Sequence, residues 1–68
     1  MVISYKKLWK LLIDKDMKKK DLQKAAGVSA ASITKLAKNE HVNTEIIEKI
    51  CNALQCDVSD IMEMVCEN

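Results

Sequence analysis

The sequence predicts an all-α domain built as a five-helix bundle. The chain of 68 residues contains no proline and a single glycine, Gly27, whereas strand-rich and disordered chains normally use more of both. Hydrophobic residues make up 49% of the chain, which is enough for one small core. Apolar residues recur at helical spacing in several segments. We therefore expect a single domain over residues 1–68, with each helix identified by its apolar face and its cap.

The first helix is predicted at about Tyr5–Lys15, with Ser4 as its N-cap. Its apolar residues follow the i, i+3, i+4, i+7, i+8 pattern of one helical face. They are Tyr5, Leu8, Trp9, Leu12 and Ile13. Residues 1–3 are expected to form either a disordered tail or a short apolar arm that contacts a partner.

The other four helices begin with a shared local pattern. An apolar residue precedes each candidate cap and a second one follows five positions later, which is the spacing of a hydrophobic staple. The staple pairs are Met17/Leu22, Val28/Ile33, Val42/Ile47 and Cys56/Ile61, around the caps Lys18, Ser29, Asn43 and Asp57. The predicted helices cover about Lys19–Ala26, Ala30–Lys38, Thr44–Leu54 and Val58–Val65. Besides the larger aliphatic residues, the residues expected to face the core are Ala25, Ala26, Ala37, Cys51, Val58 and Met62.

The segment from residue 18 to residue 40, KKKDLQKAAGVSAASITKLAKNE, predicts a function. Two short helices flank a three-residue turn, Gly27-Val28-Ser29, and the small residues Ala25 and Ala26 come just before it. A close crossing of two helices favours small side chains and a glycine at that place. This order is typical of the DNA-binding helix-turn-helix, here at about residues 19–38.

Charge is distributed unevenly along the chain, although the net charge is only +1. Residues 15–38 carry seven lysines and two aspartates, a balance of +5, and residues 1–14 have a balance of +2. Residues 39–68 carry seven acidic residues and one lysine, a balance of −6. A basic front and an acidic back would orient the molecule on a polyanion. The alternative is that the lysines only solvate helix faces, and charge by itself does not choose between the two.

The chain resembles the Cro/C1-type (Xre) helix-turn-helix family over about residues 5–65. The resemblance rests on Leu22, the Gly27-Val28-Ser29 turn, the Ser32-Ile33-Thr34-Lys35-Leu36 run, the Ile47-Glu48-Lys49-Ile50-Cys51 run and Asp60-Ile61-Met62. It implies a lambda repressor-like domain in a compact single-domain form. That form is similar to regulators found with bacterial mobile elements and resistance operons.

Three features depart from the family pattern. Asn39 stands just after the third helix, where the family prefers glycine, and asparagine tolerates the left-handed conformation better than most residues. Lys18 and Lys19 stand where the family often has Thr-Gln, and a lysine cannot form the two-pronged amide contact to adenine. Ala30 and Ala31 occupy positions that often carry polar base-reading residues.

The resemblance implies that helix 30–38 enters the major groove of a promoter or operator. Lys35 is the candidate for a guanine O6/N7 contact, and Ser32 and Thr34 could reach bases or phosphates. Ser29 would cap the helix and bind phosphate at the same end. The Lys18-Lys19-Lys20 run would either bind phosphate or form a solvated loop. The candidate DNA-binding residues are Lys18, Lys19, Ser29, Ala30, Ala31, Ser32, Thr34, Lys35 and Lys38.

Other classes of function have little support in the sequence. There is no glycine-rich phosphate loop and no recognisable carboxylate pair. We therefore do not expect the protein to be an enzyme or to bind a cofactor. The single histidine, His41, and the three cysteines are irregularly spaced, so we expect neither bound metal nor a disulfide framework. The cysteines and the absence of a leader or a membrane span indicate a cytoplasmic protein.

Double-stranded DNA is the expected partner, with transcriptional repression as the effect and no small-molecule ligand. We expect a homodimer, which would form through helix five, with Met62, Met64 and Val65, or through the Met1–Tyr5 arm. The alternative is a helical protein-interaction module, similar to an antitoxin or an antirepressor, that does not bind DNA itself. The position of the basic residues, on the turn and on the third helix, favours DNA.

Overall fold

The computed structural model describes residues 1–66, which form a mostly helical domain with a small sheet. The last two residues of the predicted 1–68 domain, Glu67 and Asn68, lie outside the described residues. In chain order the elements are β1 (Val2–Ser4), α1 (Lys6–Asp14), α2 (Lys19–Ala26), α3 (Ala30–Ala37), α4 (Thr44–Leu54), a 3-10 turn (Val58–Asp60) and β2 (Glu63–Val65). None of the helices within residues 1–66 has the length and apolarity needed to cross a membrane.

The prediction of a fifth helix at about Val58–Val65 is wrong. The chain makes one 3-10 turn at Val58–Asp60 and then becomes extended. The Asp57 carboxylate does cap the turn, accepting a hydrogen bond from the Val58 amide at 2.8 Å. The Asp60 carboxylate accepts a hydrogen bond from the Asp57 amide at 3.0 Å. The predicted cap therefore starts a helical turn, but it does not make the helix continue.

Strand pairing between the two ends of the chain replaces this fifth helix. β1 and β2 form an antiparallel two-stranded sheet in which Val2 pairs with Val65, Ile3 with Met64 and Ser4 with Glu63. Residues 2–4 are thus a strand, which corrects the expectation of a tail or an arm at residues 1–3. The domain is all-α only approximately.

Helix α1 begins one residue later than predicted, at Lys6, with Tyr5 as its N-cap. Ser4 is buried, and its hydroxyl accepts a hydrogen bond from the Lys6 amide at 3.3 Å. Tyr5 is almost completely buried, as predicted for an inward residue. Ile13, however, is 76% exposed, because the buried face of α1 follows Leu8 and Leu12, and the next residue points about 100° away.

The starts of α2, α3 and α4 agree with the predicted caps. Asp21 accepts a hydrogen bond from the Lys18 amide at 2.9 Å, so the acidic residue in the first turn caps α2. The Ser29 hydroxyl accepts from the Ser32 amide at 3.2 Å, and the Asn43 side chain accepts from the Ile46 amide at 3.0 Å. These local hydrogen bonds satisfy amides that the helices themselves leave free.

One core holds the helices together, and α2 packs mainly against α4 within it. The buried hydrophobic residues are Tyr5, Leu8, Leu12, Leu22, Val28, Ile33, Leu36, Ile50, Leu54 and Ile61. Ala25, Ala37 and Val58 are exposed, contrary to prediction. Ala25 and Ala37 each neighbour a residue that does pack, Ala26 and Leu36, and so lie at the edge of the apolar face.

Gly27 ends α2 in the left-handed conformation, with φ 68° and ψ 37°. A Cβ atom placed on it would meet nothing within 4 Å. The glycine is therefore needed for its backbone conformation. The sequence suggests that a close helix crossing requires this glycine, but the open space around it shows that the crossing does not.

Asn39 has φ 57°, which confirms the left-handed turn predicted after α3. Its side-chain oxygen also accepts a hydrogen bond from the Tyr5 amide at 3.0 Å. This bond links the end of α3 to the junction of β1 and α1, across 34 residues of sequence. Asn39 is therefore both a turn residue and a tertiary contact.

We expect Asn39→Gly to lower stability although glycine suits the left-handed turn. The substitution leaves the partly buried Tyr5 amide without its acceptor, which costs about 1–3 kcal/mol and outweighs the conformational gain. Asn39→Asp is the matched control, because it keeps the acceptor oxygen. Thermal unfolding should rank the aspartate variant above the glycine variant. A glycine variant as stable as the wild type would contradict this prediction, because the lost hydrogen bond would then be worth no more than the conformational gain.

Candidate nucleic-acid interface

One face of α3 is exposed along its whole length. Ile33 and Leu36 are buried in the core and fix the rotation of the helix. The exposed face consists of Ala30, Ala31, Thr34 and Lys35, followed by Lys38 at the C-cap. Five predicted DNA-binding residues thus share one surface, whereas Ser32 is half-buried beside it.

The hydroxyl groups of α3 and of its N-cap, Ser29, already have partners within this segment. The Ser29 and Ser32 hydroxyl oxygens lie 3.1 Å apart, and Ser29 also accepts the Ser32 amide. The Thr34 hydroxyl donates to the Ala30 carbonyl oxygen at 3.1 Å. Thr34 therefore keeps free lone pairs but no free hydrogen, so it is better placed to accept a hydrogen bond than to donate one.

Lys18 and Lys19 lie exposed at the start of α2. The Lys19 ammonium nitrogen is 4.8 Å from the centre of the Trp9 ring, which is within the range of a cation–π interaction. Trp9 is half-buried and packs against the core, as the sequence indicates. Its contact with Lys19 was not predicted, because it depends on how α1 and α2 are placed.

The seven lysines of residues 15–38 are all exposed. The one ion pair found within residues 1–66 lies elsewhere, between Lys49 and Glu45 on α4, at 3.4 Å. In the described part of the chain, no lysine of this basic segment, residues 15–38, thus forms an ion pair with a carboxylate. The positive charge of the segment is available to a polyanion.

The cysteines do not build a site with His41, which is exposed after α3. Cys51 and Cys56 have the Cys-x4-Cys spacing that some zinc sites use, and both side chains are partly buried. Burial raises the pKa of both thiols, which favours the protonated form over the metal-binding thiolate. Across residues 1–66 no group of three or more His, Cys, Asp or Glu side chains is arranged to hold a metal ion.

Comparison with known proteins agrees with the helix-turn-helix geometry. Residues 7–67 match the Cro/C1-type HTH DNA-binding domain. A solved structure described as the crystal structure of transcriptional regulator VanUg, Form II, is similar with a TM-score of 0.92. It is 52% identical in sequence, and the match covers 97% of this chain and 88% of that chain. No curated protein matches at a significant level. With the family match spanning most of its length, this chain belongs to the Cro/C1-type helix-turn-helix family of DNA-binding domains.

Proposed function

We propose that the protein is a sequence-specific, non-enzymatic transcriptional regulator that represses by occupying a promoter or operator. The observation that supports this most is the exposed face of α3, which lies within the un-neutralised basic segment. An α-helix with such a face fits the width of the major groove. The similar VanUg structure is described as a transcriptional regulator, which supports the same role for this chain.

Each exposed residue would make a contact suited to its chemistry. Lys35 would donate to guanine O6 and N7, while the Ala30 and Ala31 methyl groups would pack on thymine methyl groups. Thr34 would accept a hydrogen bond from a base amino group. The remaining candidates, placed at helix ends and on the basic segment, would position the protein on the phosphates. They are Lys18, Lys19, Ser29, Ser32 and Lys38.

The salt dependence of binding tests the phosphate contacts. We expect the affinity for duplex DNA to fall with salt, each phosphate contact contributing about −0.9 to the slope of log affinity against log salt concentration. Replacing both Lys18 and Lys19 by alanine should make the slope shallower by about two such contributions. Lys49→Ala is the control, because Lys49 lies on α4 outside the basic segment. An unchanged slope in the double variant would remove both lysines from the interface.

We also propose that the protein binds DNA as a homodimer through the β1–β2 sheet. An α3 of eight residues reads few base pairs, so a second copy would add a second half-site about 34 Å away. The sequence suggests two dimer surfaces, the N-terminal arm and the residues predicted as helix five. In the structure, β1 and β2 bring parts of these two surfaces side by side. Within residues 1–66, five large hydrophobic residues are exposed, and three of them are in or next to this sheet: Met1, Val2 and Met64. Such clustered apolar exposure is typical of interaction surfaces.

The proposed dimer makes a prediction about charge at the sheet. We expect Met64→Lys to prevent pairing, because two like charges would face each other across a two-fold axis, and therefore to weaken operator binding. Ile13→Lys is the matched control, since Ile13 is also exposed but belongs to α1. Sedimentation with and without DNA should show two wild-type protomers on the DNA. A single protomer bound at saturating protein would contradict the dimer.

A further inference from the structure

We propose that Trp9 is a positioning residue that holds the Lys19 ammonium in place for a phosphate of the DNA. This inference rests on the proposed function and adds a role for α1, which the helix-turn-helix itself does not include. The contact that supports it is the 4.8 Å distance between the Lys19 Nζ atom and the centre of the Trp9 ring.

The ring is fixed while the lysine is exposed. Trp9 is half-buried and packs against the core, so its orientation is set by the fold. Lys19 is the first residue of α2 and is exposed to solvent. Within the described residues, this is the one place where a lysine lies over an aromatic ring. In the same part of the chain, neither of its neighbours, Lys18 and Lys20, lies over an aromatic ring.

Restraining the ammonium matters because a free lysine side chain is long and flexible. Binding a phosphate with an unrestrained lysine requires ordering a four-carbon stem, which opposes binding through lost conformational entropy. The Trp9 ring covers one side of the ammonium and orders the stem before DNA arrives. The hydrogens on the other side remain free to donate. Preorganisation of this kind raises affinity without any direct contact between Trp9 and the nucleic acid.

A double-mutant cycle on duplex binding tests the positioning role. An exposed cation–π interaction corresponds to roughly a two- to fivefold effect on an equilibrium. We expect Trp9→Leu to weaken DNA binding by about that factor when Lys19 is present and to have no effect when Lys19 is glutamine. Trp9→Phe keeps an aromatic ring in the core and should weaken binding less than leucine does. Lys19→Arg should retain the coupling, because arginine also stacks on aromatic rings.

Fluorescence provides a second readout that a purely structural role of Trp9 would not affect. Trp9 is the only tryptophan of the chain, so its emission reports on its own surroundings. Lys19→Gln should change the emission of the free, folded protein, whereas the control Lys20→Gln should leave it unchanged. Addition of duplex DNA should shift the emission in the wild type more than in Lys19→Gln.

The possible results separate this inference from the proposed function. Non-additive losses together with the Lys19-dependent emission support the positioning role. If the wild type binds duplex DNA but the Trp9 and Lys19 losses are additive, or if the two glutamine variants have the same emission, the positioning role is overturned and DNA binding stands. If the wild type binds no duplex at all, both are overturned.

Discussion

Replacing Leu22 by alanine is expected to destabilise the domain by about 2–5 kcal/mol. Leu22 lies on α2, the helix that packs mainly against α4, and it is fully buried in the core. The loss combines the lost burial of the side chain with the cavity that remains. A domain of this size has a total stability of about 3–10 kcal/mol, so the variant should lose a large part of its stability. Chemical denaturation followed by circular dichroism measures the change.

Ile13→Ala is the matched control for this prediction. It also removes an aliphatic side chain from a helix, but Ile13 is 76% exposed on α1. We expect a change within about 0.5 kcal/mol, because an exposed side chain adds little to packing. A loss at Ile13 as large as that at Leu22 would contradict the orientation of α1 described above.

The second large effect is expected at Lys35, where alanine should relax the preference for a guanine by about 1–3 kcal/mol. Lys35 lies on the exposed face of α3, one turn after Ala31, so both residues can face the same groove floor. We expect a half-site with at least one thymine and one guanine at separate positions. Because lysine is a flexible point charge, its discrimination should be weaker than that of an arginine fork.

A binding selection from random duplexes, run on several variants, measures this preference. The Lys35→Ala variant should lose the guanine preference and keep the thymine preference attributed to Ala30 and Ala31. Lys38→Ala is the control in the same region, since a phosphate contact at the C-cap should lower affinity equally for every sequence. If Lys35→Ala also lowers affinity uniformly, Lys35 is a phosphate contact, and specificity must come from other residues.

Local sequence signals predicted α2, α3 and α4 to within one residue, because these helices are bounded by interactions a few residues apart. Ser29 and Asn43 cap the amides three residues later, and Gly27 ends α2 in a conformation that glycine adopts readily. Asn39 follows the same logic at the end of α3. The exposed face of α3 could be inferred for the same reason, since Ile33 and Leu36 determine its opposite side.

Interactions between distant parts of the chain were not predictable in this way. Glu63–Val65 is extended because it pairs with Val2–Ser4, about 60 residues earlier, and no local pattern encodes that pairing. The contact of Lys19 with Trp9 likewise depends on how two helices are placed. Periodicity also leaves the width of an apolar face undefined, which is why Ile13 was expected to be inward although it is exposed.

Amide chemical shifts recorded during titration with duplex DNA test the proposed DNA-binding role most directly. A first titration with a duplex of random sequence at low salt reports on the phosphate contacts. A second titration with a duplex that carries two selected half-sites reports on the contacts with bases. We predict that the shifts concentrate at the start of α2 and along the exposed face of α3, residues 18–19 and 29–38, and that they weaken as salt is added. Shifts confined to the acidic part of the chain after residue 38, which includes α4, would contradict DNA binding. So would the absence of shifts at every salt concentration. Either result would favour a helical protein-interaction module.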